Sequence, residues 1–497
     1  MSEDKWKARL QDRSDEDKLV PLETLDVNAI SDFDDMLHAM SLTAFNGRRL
    51  GEAAEVLQAM VADPECSVIL TLSGAMTVAK MGLLITEMVE RGWVQAIVST
   101  GALMTHGLVE LSGMDHFKAQ ERLDDTALFE RGYNRVYDTY ELETNLTALG
   151  NALDKAVFPD VLNDRFGSFE LMAAMGRWLA PRGRGVVGSC YRNNVPIYVP
   201  AFTDSEMGLD VATWFIKRQV DLGRRVKDIT ADFKSNFDPF RDLTHYARTV
   251  RFSPKLGIFT IGGGVPRNWA QQGPPFLDYL NTHLERESVL NRFSYGVRIC
   301  PEPVHWGGLS GCTYSEGVSW GKFVPPEEGG RFAEVYSDAT LVWPMLVKGV
   351  IQRMEKQGVE AGHPDLEDGP LAPPLEQTLV VPRLTFSAAF PPPEALSELD
   401  RARILGTARR FKLEHDTAEA ALAEGEWAWR AVTEQDGERT WTLWSLRPGD
   451  GCLFLGDSDE VLKTRLFQFD FSADDGRYLI EDRALGLGML SAFQRRP

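Results

Sequence analysis

Short apolar runs alternate with stretches of helical spacing along most of the chain. Each run is almost continuously hydrophobic and ends in glycine, serine, threonine or aspartate. Five such runs occupy residues 68–72, 94–98, 195–199, 256–261 and 333–336. Helical spacing after the first run predicts a buried stripe formed by Val78, Met81, Ile85, Met88 and Val89. Since strands covered on both faces are near-continuously apolar, the pattern predicts an α/β fold with a doubly wound, mostly parallel, Rossmann-like sheet.

Composition divides the chain into four regions. Residues 1–30 are polar and we interpret them as a mobile N-terminal segment, whereas residues 31–358 carry the strand–helix pattern. Residues 359–376 are rich in proline and acidic residues, which is typical of a linker. Residues 377–497 suffice for one small domain, which we expect to be an α+β appendage of unassigned role.

A β-hairpin is predicted within this last region. Residues 427–432 and 440–446 have strand-like composition on either side of an Asp436-Gly437 turn. The four tryptophans of these two segments either fill a core or form an interaction surface.

Charge and cysteine usage narrow the class of protein. The 497 residues carry a formal net charge of −20, which disfavours nucleic acid as a partner and suits either a cationic small substrate or simple solubility. The five cysteines are scattered without a C-x-x-C pair, so we expect free thiols and no metal centre. The charged N-terminus lacks an apolar signal core and no apolar run could span a bilayer, so we expect a cytoplasmic protein without a membrane partner.

The ends of the predicted strands carry the features of a dinucleotide site. Gly262-Gly263-Gly264 follows a strand, and Ser73-Gly74-Ala75 and Thr100-Gly101-Ala102 repeat the same arrangement. Glycines let backbone amides approach a phosphate closely, although one such turn alone is equally compatible with a structural role. Asp338 follows another strand, where it is either an acceptor for ribose hydroxyls or the N-cap of the next helix.

A lysine beside tryptophan and glycine is the candidate nucleophile. Poor solvation lowers the pKa of a lysine and frees its amine, which favours this role for Lys322. Glu316 can pair with a substrate ammonium, and Trp320 offers an aromatic face to an alkyl-ammonium chain. From these residues alone, an ordinary surface lysine is the favoured interpretation of Lys322.

Several ordered blocks resemble the deoxyhypusine synthase family over about residues 30–355. Residues 316–322 (EGVSWGK) resemble the family's E-A-V-S-W-G-K block, whose lysine accepts an aminobutyl group. Residues 195–204 (VPIYVPAFTD) are similar to I-P-V-F-S-P-A-L-T-D, and residues 261–265 (IGGGV) are similar to L-G-G-G-V. Residues 335–342 (VYSDATLV) are similar to V-Y-A-D-A-S-L-V.

The resemblance implies a cofactor, a reaction and a set of site residues. NAD would take a hydride from the carbon beside the secondary amine of spermidine, and Lys322 would then hold the aminobutyl group as a Schiff base while diaminopropane leaves. The acceptor amine would be a lysine of a protein or a diamine such as putrescine, which gives homospermidine. The residues implied at NAD are Ser73, Gly74, Thr100, Gly101, Asp204, Gly263, Asp338 and Ala339. The residues implied at the polyamine are Glu316, Trp320, Asn268 and His106.

The implied polyamine site departs from the eukaryotic pattern. Thr105-His106 replaces two adjacent glutamates, Asn268 replaces a histidine and Leu309 replaces an aspartate. These pieces look like the bacterial and archaeal branch called deoxyhypusine synthase-like. Each lost charge-assisted contact removes about 1.5–3 kcal/mol of binding free energy, so the donor and acceptor stay open.

Two other classes of protein compete with this interpretation. One is a non-catalytic NAD- or polyamine-binding protein that acts through residues 377–497, which specific partner binding without amine turnover would indicate. The other is a sirtuin-like deacylase, which the lack of paired cysteines for its zinc disfavours. Because sites in the deoxyhypusine synthase family lie between subunits, the resemblance also implies a homotetramer.

Overall fold

The computed structural model describes residues 14–119, 124–284, 290–362 and 364, together with seven strands between residues 385 and 494. The chain divides into two units, Met1–Ala372 and Pro373–Pro497.

Nine strands lie within the described residues of the first unit. In chain order they are β1 (Cys66–Leu72), β2 (Ala96–Ser99), β3 (Phe117–Lys118), β4 (Tyr133–Val136), β5 (Thr139–Leu142), β6 (Ile197–Tyr198), β7 (Lys255–Ile261), β8 (Phe293–Ile299) and β9 (Arg331–Val335). Six of them form a sheet of order β6-β2-β1-β7-β8-β9, in which every pair is parallel. The other three form a small antiparallel sheet of order β3-β5-β4.

Helices connect these strands and cover the parallel sheet. In chain order they are α1 (Phe33–Ser41), α2 (Phe45–Ala62), α3 (Gly82–Glu90), α4 (Gly101–Leu111), α5 (Asp125–Glu130), α6 (Glu143–Ala156), α7 (Phe158–Val161), α8 (Ser168–Leu179), α9 (Val186–Arg192), α10 (Glu206–Asp221), α11 (Val226–Ala231), α12 (Pro239–Phe252), α13 (Gly264–Ala270), α14 (Gly273–Leu284), α15 (Tyr314–Ser319) and α16 (Ala339–Gln357). Short 3₁₀ turns lie at Val27–Ala29, Ala180–Arg182, Val304–Trp306, Leu309–Gly311 and Pro326–Glu328.

The strand order confirms the predicted doubly wound α/β fold. The chain builds outward from β1 through β2 to β6, then returns and builds outward on the other side through β7, β8 and β9. The direction of winding therefore reverses between β1 and β7. In sheets of this kind, a crevice forms beyond the carboxyl ends of the strands at this switch point.

Both faces of the sheet are buried, as the continuous apolar runs predict. Along β7, Ile258 belongs to the core on one face and Phe259 to the core on the other. The same alternation occurs in β1, where Ile69 and Leu70 belong to opposite cores. Burial on both faces explains why these strands are hydrophobic at nearly every position.

Two elements differ from the sequence-based expectations. Strand β8 was not among the predicted runs, because Ser294, Tyr295 and Arg298 interrupt its apolar pattern. The predicted helix after β1 begins only at Gly82, so Val78 precedes it. A left-handed backbone at Lys80, with φ of 64°, separates the preceding turns from the helix.

The second unit contributes seven described strands. They are β10 (Thr385–Ser387), β11 (Trp427–Thr433), β12 (Thr440–Leu446), β13 (Cys452–Asp457), β14 (Leu466–Asp470), β15 (Arg477–Asp482) and β16 (Leu490–Gln494). They pair antiparallel in sequential order. The pairing of β11 with β12 confirms the predicted hairpin. Three other features lie outside the described residues, namely any helix of the predicted α+β appendage, the Asp436-Gly437 turn and the tryptophan side chains.

No helix within the described ranges combines the length and apolarity that crossing a bilayer requires.

We expect Gly51→Ala to destabilise the first unit by about 1–3 kcal/mol, because the new methyl group would lie 2.6 Å from the Cα of Ser41 where α1 crosses α2. Urea unfolding measures the effect. The matched control is Gly47→Ala on the same helix, whose methyl group would meet nothing closer than 3.4 Å. Equal stability losses in the two variants would contradict the packing argument.

Candidate active site

The carboxyl ends of β1 and β7 are joined directly at the switch point. The backbone amide of Gly263 donates to Ser73 Oγ at 2.9 Å, and this hydroxyl in turn donates to the carbonyl of Ile261 at 3.2 Å. Gly262 has a φ of 78°, a left-handed conformation that favours glycine. The predicted residues Ser73 and Gly263 are thus brought together, and the glycine turn keeps side chains out of the crevice.

A loop packs against this turn from the other side. A Cβ on Gly263 would lie 2.6 Å from the Cα of Ser310, so only glycine permits this approach. Two arginine side chains hold the loop in place through hydrogen bonds to its carbonyl groups. Arg267 Nη1 donates to the carbonyl of Cys312 at 2.7 Å, and Arg298 Nη1 donates to the carbonyls of Ser310 and Cys312 at 2.6 and 2.9 Å.

Lys322 lines a cavity of about 570 Å³ that begins at the same loop. Cys312 and Thr313 form one part of its wall, and α15 contributes Glu316 and Trp320. Helices α13 and α14 and the turn between them contribute another part of the wall, formed by Arg267, Asn268, Gln272, Asp278, Tyr279 and His283. Three residues predicted for the polyamine, Glu316, Trp320 and Asn268, therefore share one cavity with the predicted nucleophile.

Local backbone geometry places Lys322 after the short helix α15. Thr313 caps this helix by accepting from the amide of Glu316 at 3.1 Å. Gly321 then adopts a φ of 67°, and the carbonyl of Lys322 accepts from the amide of Phe293 at 3.0 Å on β8. A Cβ on Gly317 would lie 2.5 Å from the ring of Phe323, so this glycine allows α15 to pack next to the lysine.

The surroundings of Lys322 favour a neutral amine. Burial is the largest cause that lowers the pKa of Lys322, and the positive charge of Arg267 lowers it further, against the opposing influence of Cys312 and Glu316. Arg267 is 2% exposed and cannot lose its proton. The Nζ atom of Lys322 lies 6.0 Å from the centre of the Trp320 ring. This environment matches the desolvated lysine that the sequence predicts.

The other residues predicted for the cofactor lie along the carboxyl edge of the sheet. Thr100 follows β2 and caps α4 by accepting from the amide of Leu103, while Gly101 packs against Ser205, which follows Asp204. Gly74 follows Ser73 with a φ of 77°.

Asp338 and Ala339 lie beyond β9. Asp338 accepts from the amide and the hydroxyl of Thr340, both at 2.6 Å, which confirms its alternative interpretation as a helix N-cap. This role occupies one carboxylate oxygen of an exposed side chain and is compatible with a ribose contact.

His106 does not line the Lys322 cavity. It lies on α4 beside Glu141 of β5, with its Nδ1 3.3 Å from Glu141 Oε2, and His116 Nε2 lies 2.6 Å from the same oxygen. Burial opposes ionisation of Glu141, but contacts with His106, His116 and Asn145 outweigh it and lower the pKa of the carboxyl to about 2. The structure thus places His106 in a separate cluster, and its predicted substrate contact remains a prediction.

Sequence reasoning did not identify the residues that support the site. Arg298 is 1% exposed and pairs with Glu334 at 2.9 Å, yet its position in an interrupted apolar run gave no signal. Asp278 belongs to α14, whose cavity-facing side cannot be distinguished by sequence spacing from its solvent-facing side. Its carboxylate is nevertheless a second acid in the wall of the Lys322 cavity.

The fold and the site define a doubly wound α/β protein with a candidate nucleophilic lysine beside its switch point. The family model for deoxyhypusine synthase matches residues 35–350. The chain belongs to the deoxyhypusine synthase family, whose members are transferases that generally depend on NAD.

Individual relatives extend this result. A protein from Methanosarcina acetivorans named "Probable deoxyhypusine synthase 2" is 31% identical over 323 residues, which cover 64% of this chain and 86% of the relative. A protein of the same name from Archaeoglobus fulgidus is 31% identical over 63% of this chain and 96% of its own. A "Deoxyhypusine synthase-like protein" from Chlorobaculum parvum is 32% identical over 63% of this chain and 84% of its own.

We expect Arg267→Gln to raise the pKa of Lys322, because it removes a fixed positive charge that favours the neutral amine. Modification of Lys322 by a small amine reagent, followed by peptide mass spectrometry, should then require a higher pH than in the unchanged protein. Arg267→Lys retains a positive charge and should preserve the profile, and Arg331→Gln serves as an exposed control. Superimposable profiles for Arg267→Gln and the unchanged protein would show that this charge does not govern Lys322.

Proposed function

We propose that the protein is an NAD-dependent transferase that moves an aminobutyl group from a spermidine-like polyamine, through an imine on Lys322, to an amine acceptor. The observation that carries the proposal is the loop at residues 309–312. It contacts Gly263 at the switch point through Ser310 and lines the Lys322 cavity through Cys312. A nucleotide held at the strand ends and an amine held in the cavity would therefore both border this loop, and hydride transfer would take place where they meet along it.

The strand ends fit a dinucleotide. Two of their glycines leave backbone accessible, since a Cβ on Gly74 or on Gly264 would meet nothing closer than 3.6 Å. The residues that would hold NAD are Ser73, Gly74, Thr100, Gly101, Asp204, Gly263, Asp338 and Ala339. When bound, NAD supplies the acceptor for the substrate hydride and the donor that returns it.

Lys322 supplies the covalent step. Its neutral amine adds to the carbon of the oxidised donor's C=N bond, and the carbon–nitrogen bond to the departing diamine then breaks, with the proton of Lys322 leaving on that diamine. The lysine now holds the aminobutyl carbon as an imine. Addition of the acceptor amine and loss of Lys322 move this imine to the acceptor, where the returned hydride reduces it to a secondary amine.

The cavity supplies recognition of a cationic substrate. Glu316 would pair with a terminal ammonium group, Trp320 would pack against the alkyl chain, and Asn268 would donate or accept in another part of the wall. The acceptor is either a lysine side chain of a protein or a free diamine such as putrescine, which gives homospermidine.

We also propose that the protein forms a homotetramer. Large apolar side chains beside the cavity, among them Trp320 at 66% exposure, Trp306 and Leu309, are exposed in the single chain. A second copy would cover them and exclude water from the imine. Light scattering coupled to size-exclusion chromatography should give four times the chain mass, and a monomer would contradict this part of the proposal.

We expect incubation with NAD and spermidine, followed by borohydride reduction, to add one aminobutyl group to Lys322. Intact mass and peptide mapping identify the adduct. Lys322→Ala should abolish it, and Lys348→Ala, an exposed lysine on α16, should retain it. NAD binding without any adduct from spermidine or related amines would exclude the transferase and favour a non-catalytic binding protein.

We expect Glu316→Gln to weaken polyamine binding about ten- to hundred-fold, because a charge-assisted hydrogen bond contributes about 1.5–3 kcal/mol. Calorimetry with spermidine in the presence of NAD measures the affinity. Glu328→Gln, at an exposed position outside the cavity, should bind as the unchanged protein does. Equal affinities for both variants would remove Glu316 from the polyamine site.

A further inference from the structure

Two histidines and a glutamate converge in a buried cluster outside the Lys322 cavity. His106 comes from α4, His116 from the segment before β3, and Glu141 from β5. Their nearest ring nitrogens and carboxylate oxygen all lie within 4.8 Å of one another. The side chains of His116 and Glu141 are each 1% exposed, so water does not solvate this cluster freely.

The contacts around Glu141 orient one of its oxygens toward the histidines. Glu141 Oε1 accepts from Asn145 Nδ2 at 2.8 Å and from the amide of Leu142 at 3.1 Å. Asn145 also donates to the carbonyl of Asp115, beside His116, which fixes the strand and the segment relative to each other. Glu141 Oε2 is left to face His106 and His116, and carboxylates that bind metals are commonly fixed by such outer hydrogen bonds.

One nitrogen in the cluster that could bind a metal ion makes no hydrogen bond of normal geometry. His116 Nε2 is buried and makes no hydrogen bond within the described part of the chain, although Glu141 Oε2 is only 2.6 Å away. The two atoms are close, but their orientation is not that of a hydrogen bond. A buried nitrogen without a well-directed partner costs free energy, and an ion bound at Nε2 would supply such a partner.

We propose that His106 Nδ1, His116 Nε2 and Glu141 Oε2 form a site for a divalent transition metal ion of the Zn²⁺ class. Two imidazole nitrogens and one carboxylate oxygen are a ligand set that zinc accepts, with a fourth position left for water. Bonds of about 2.0–2.1 Å in tetrahedral geometry separate ligand atoms by about 3.3 Å. The 3.3 Å between His106 Nδ1 and Glu141 Oε2 matches this spacing, whereas His116 Nε2, at 2.6 Å from the same oxygen, would move away from it when the ion binds.

Lys80 is the group that opposes the ion. Its Nζ lies 3.1 Å from His116 Nδ1 and 3.5 Å from Glu110 Oε1. A histidine that binds metal through Nε2 carries its proton on Nδ1, where an ammonium cannot accept it. Lys80 would therefore turn fully to Glu110 when the ion binds, and the site should bind the ion more weakly than its three ligands alone would allow.

The test uses the full-length protein, stripped with a chelator and titrated with Zn²⁺ alone by calorimetry. We expect one ion per chain and a loss of affinity by more than about 100-fold in His116→Asn and in the isosteric Glu141→Gln, since losing a ligand costs more than losing an outer partner. His38→Asn, an exposed histidine on α1, should bind as the unchanged protein does. Lys80→Gln should bind at least as tightly, because glutamine removes the charge and offers an oxygen to Nδ1.

Any one of three results would contradict the proposed metal site. The protein could show no saturable Zn²⁺ binding, both His116→Asn and Glu141→Gln could leave binding unchanged, or Lys80→Gln could bind more weakly. Circular dichroism shows which variants are folded, and the absorption of bound Co²⁺ gives a second readout on the unchanged protein. A Co²⁺ spectrum identical to that of the free aqueous ion would also refute the site. None of these outcomes depends on turnover of an amine.

Discussion

The functional architecture depends on the close approach of three backbone segments at Gly263. The end of β1 reaches this residue through the hydrogen bond to Ser73 Oγ, and the loop at Ser310 packs where a Cβ would otherwise project. Because a side chain at this position would separate the loop from the sheet, the glycine couples the switch point to the wall of the Lys322 cavity. Buried arginines on β8 and α13 then keep the loop in place through the carbonyls of Ser310 and Cys312.

The sheet itself could be predicted because its strands are buried on both faces. β1, β2 and β7 are apolar at nearly every position, and each is followed by small or polar residues that mark its end. β8 could not be recognised in this way, because the buried Arg298 satisfies its charge against Glu334 and backbone carbonyls that only the folded chain brings near. Hydrophobic periodicity detects the burial of apolar groups, but it does not detect the burial of a paired charge.

Sequence spacing indicates which candidate residues lie together where a motif is contiguous, and it cannot do so where the fold assembles them. Glu316, Trp320 and Lys322 lie within one short block, and the structure places them in one cavity. Asp278 and Arg267 reach the same cavity from other helices, and their contribution follows only from the packing of α13 and α14. His106 was matched by position to the substrate site, but in the structure it lies beside Glu141 and does not line this cavity.

The distribution of charge within the cavity orients the proposed substrate. Arg267 places a buried positive charge in the wall, and Glu316 and Asp278 contribute carboxylates to it. Burial and, after it, the charge of Arg267 lower the pKa of Lys322, and a second ammonium close to Arg267 would likewise be repelled in a medium of low polarity. In the proposed reaction, a terminal ammonium of the polyamine is therefore better stabilised beside Glu316 and Asp278 than beside Arg267. The carboxylates that the sequence lacks relative to the eukaryotic pattern are not among the causes that act on the pKa of Lys322, so the proposed chemistry of the lysine is separable from the choice of donor and acceptor.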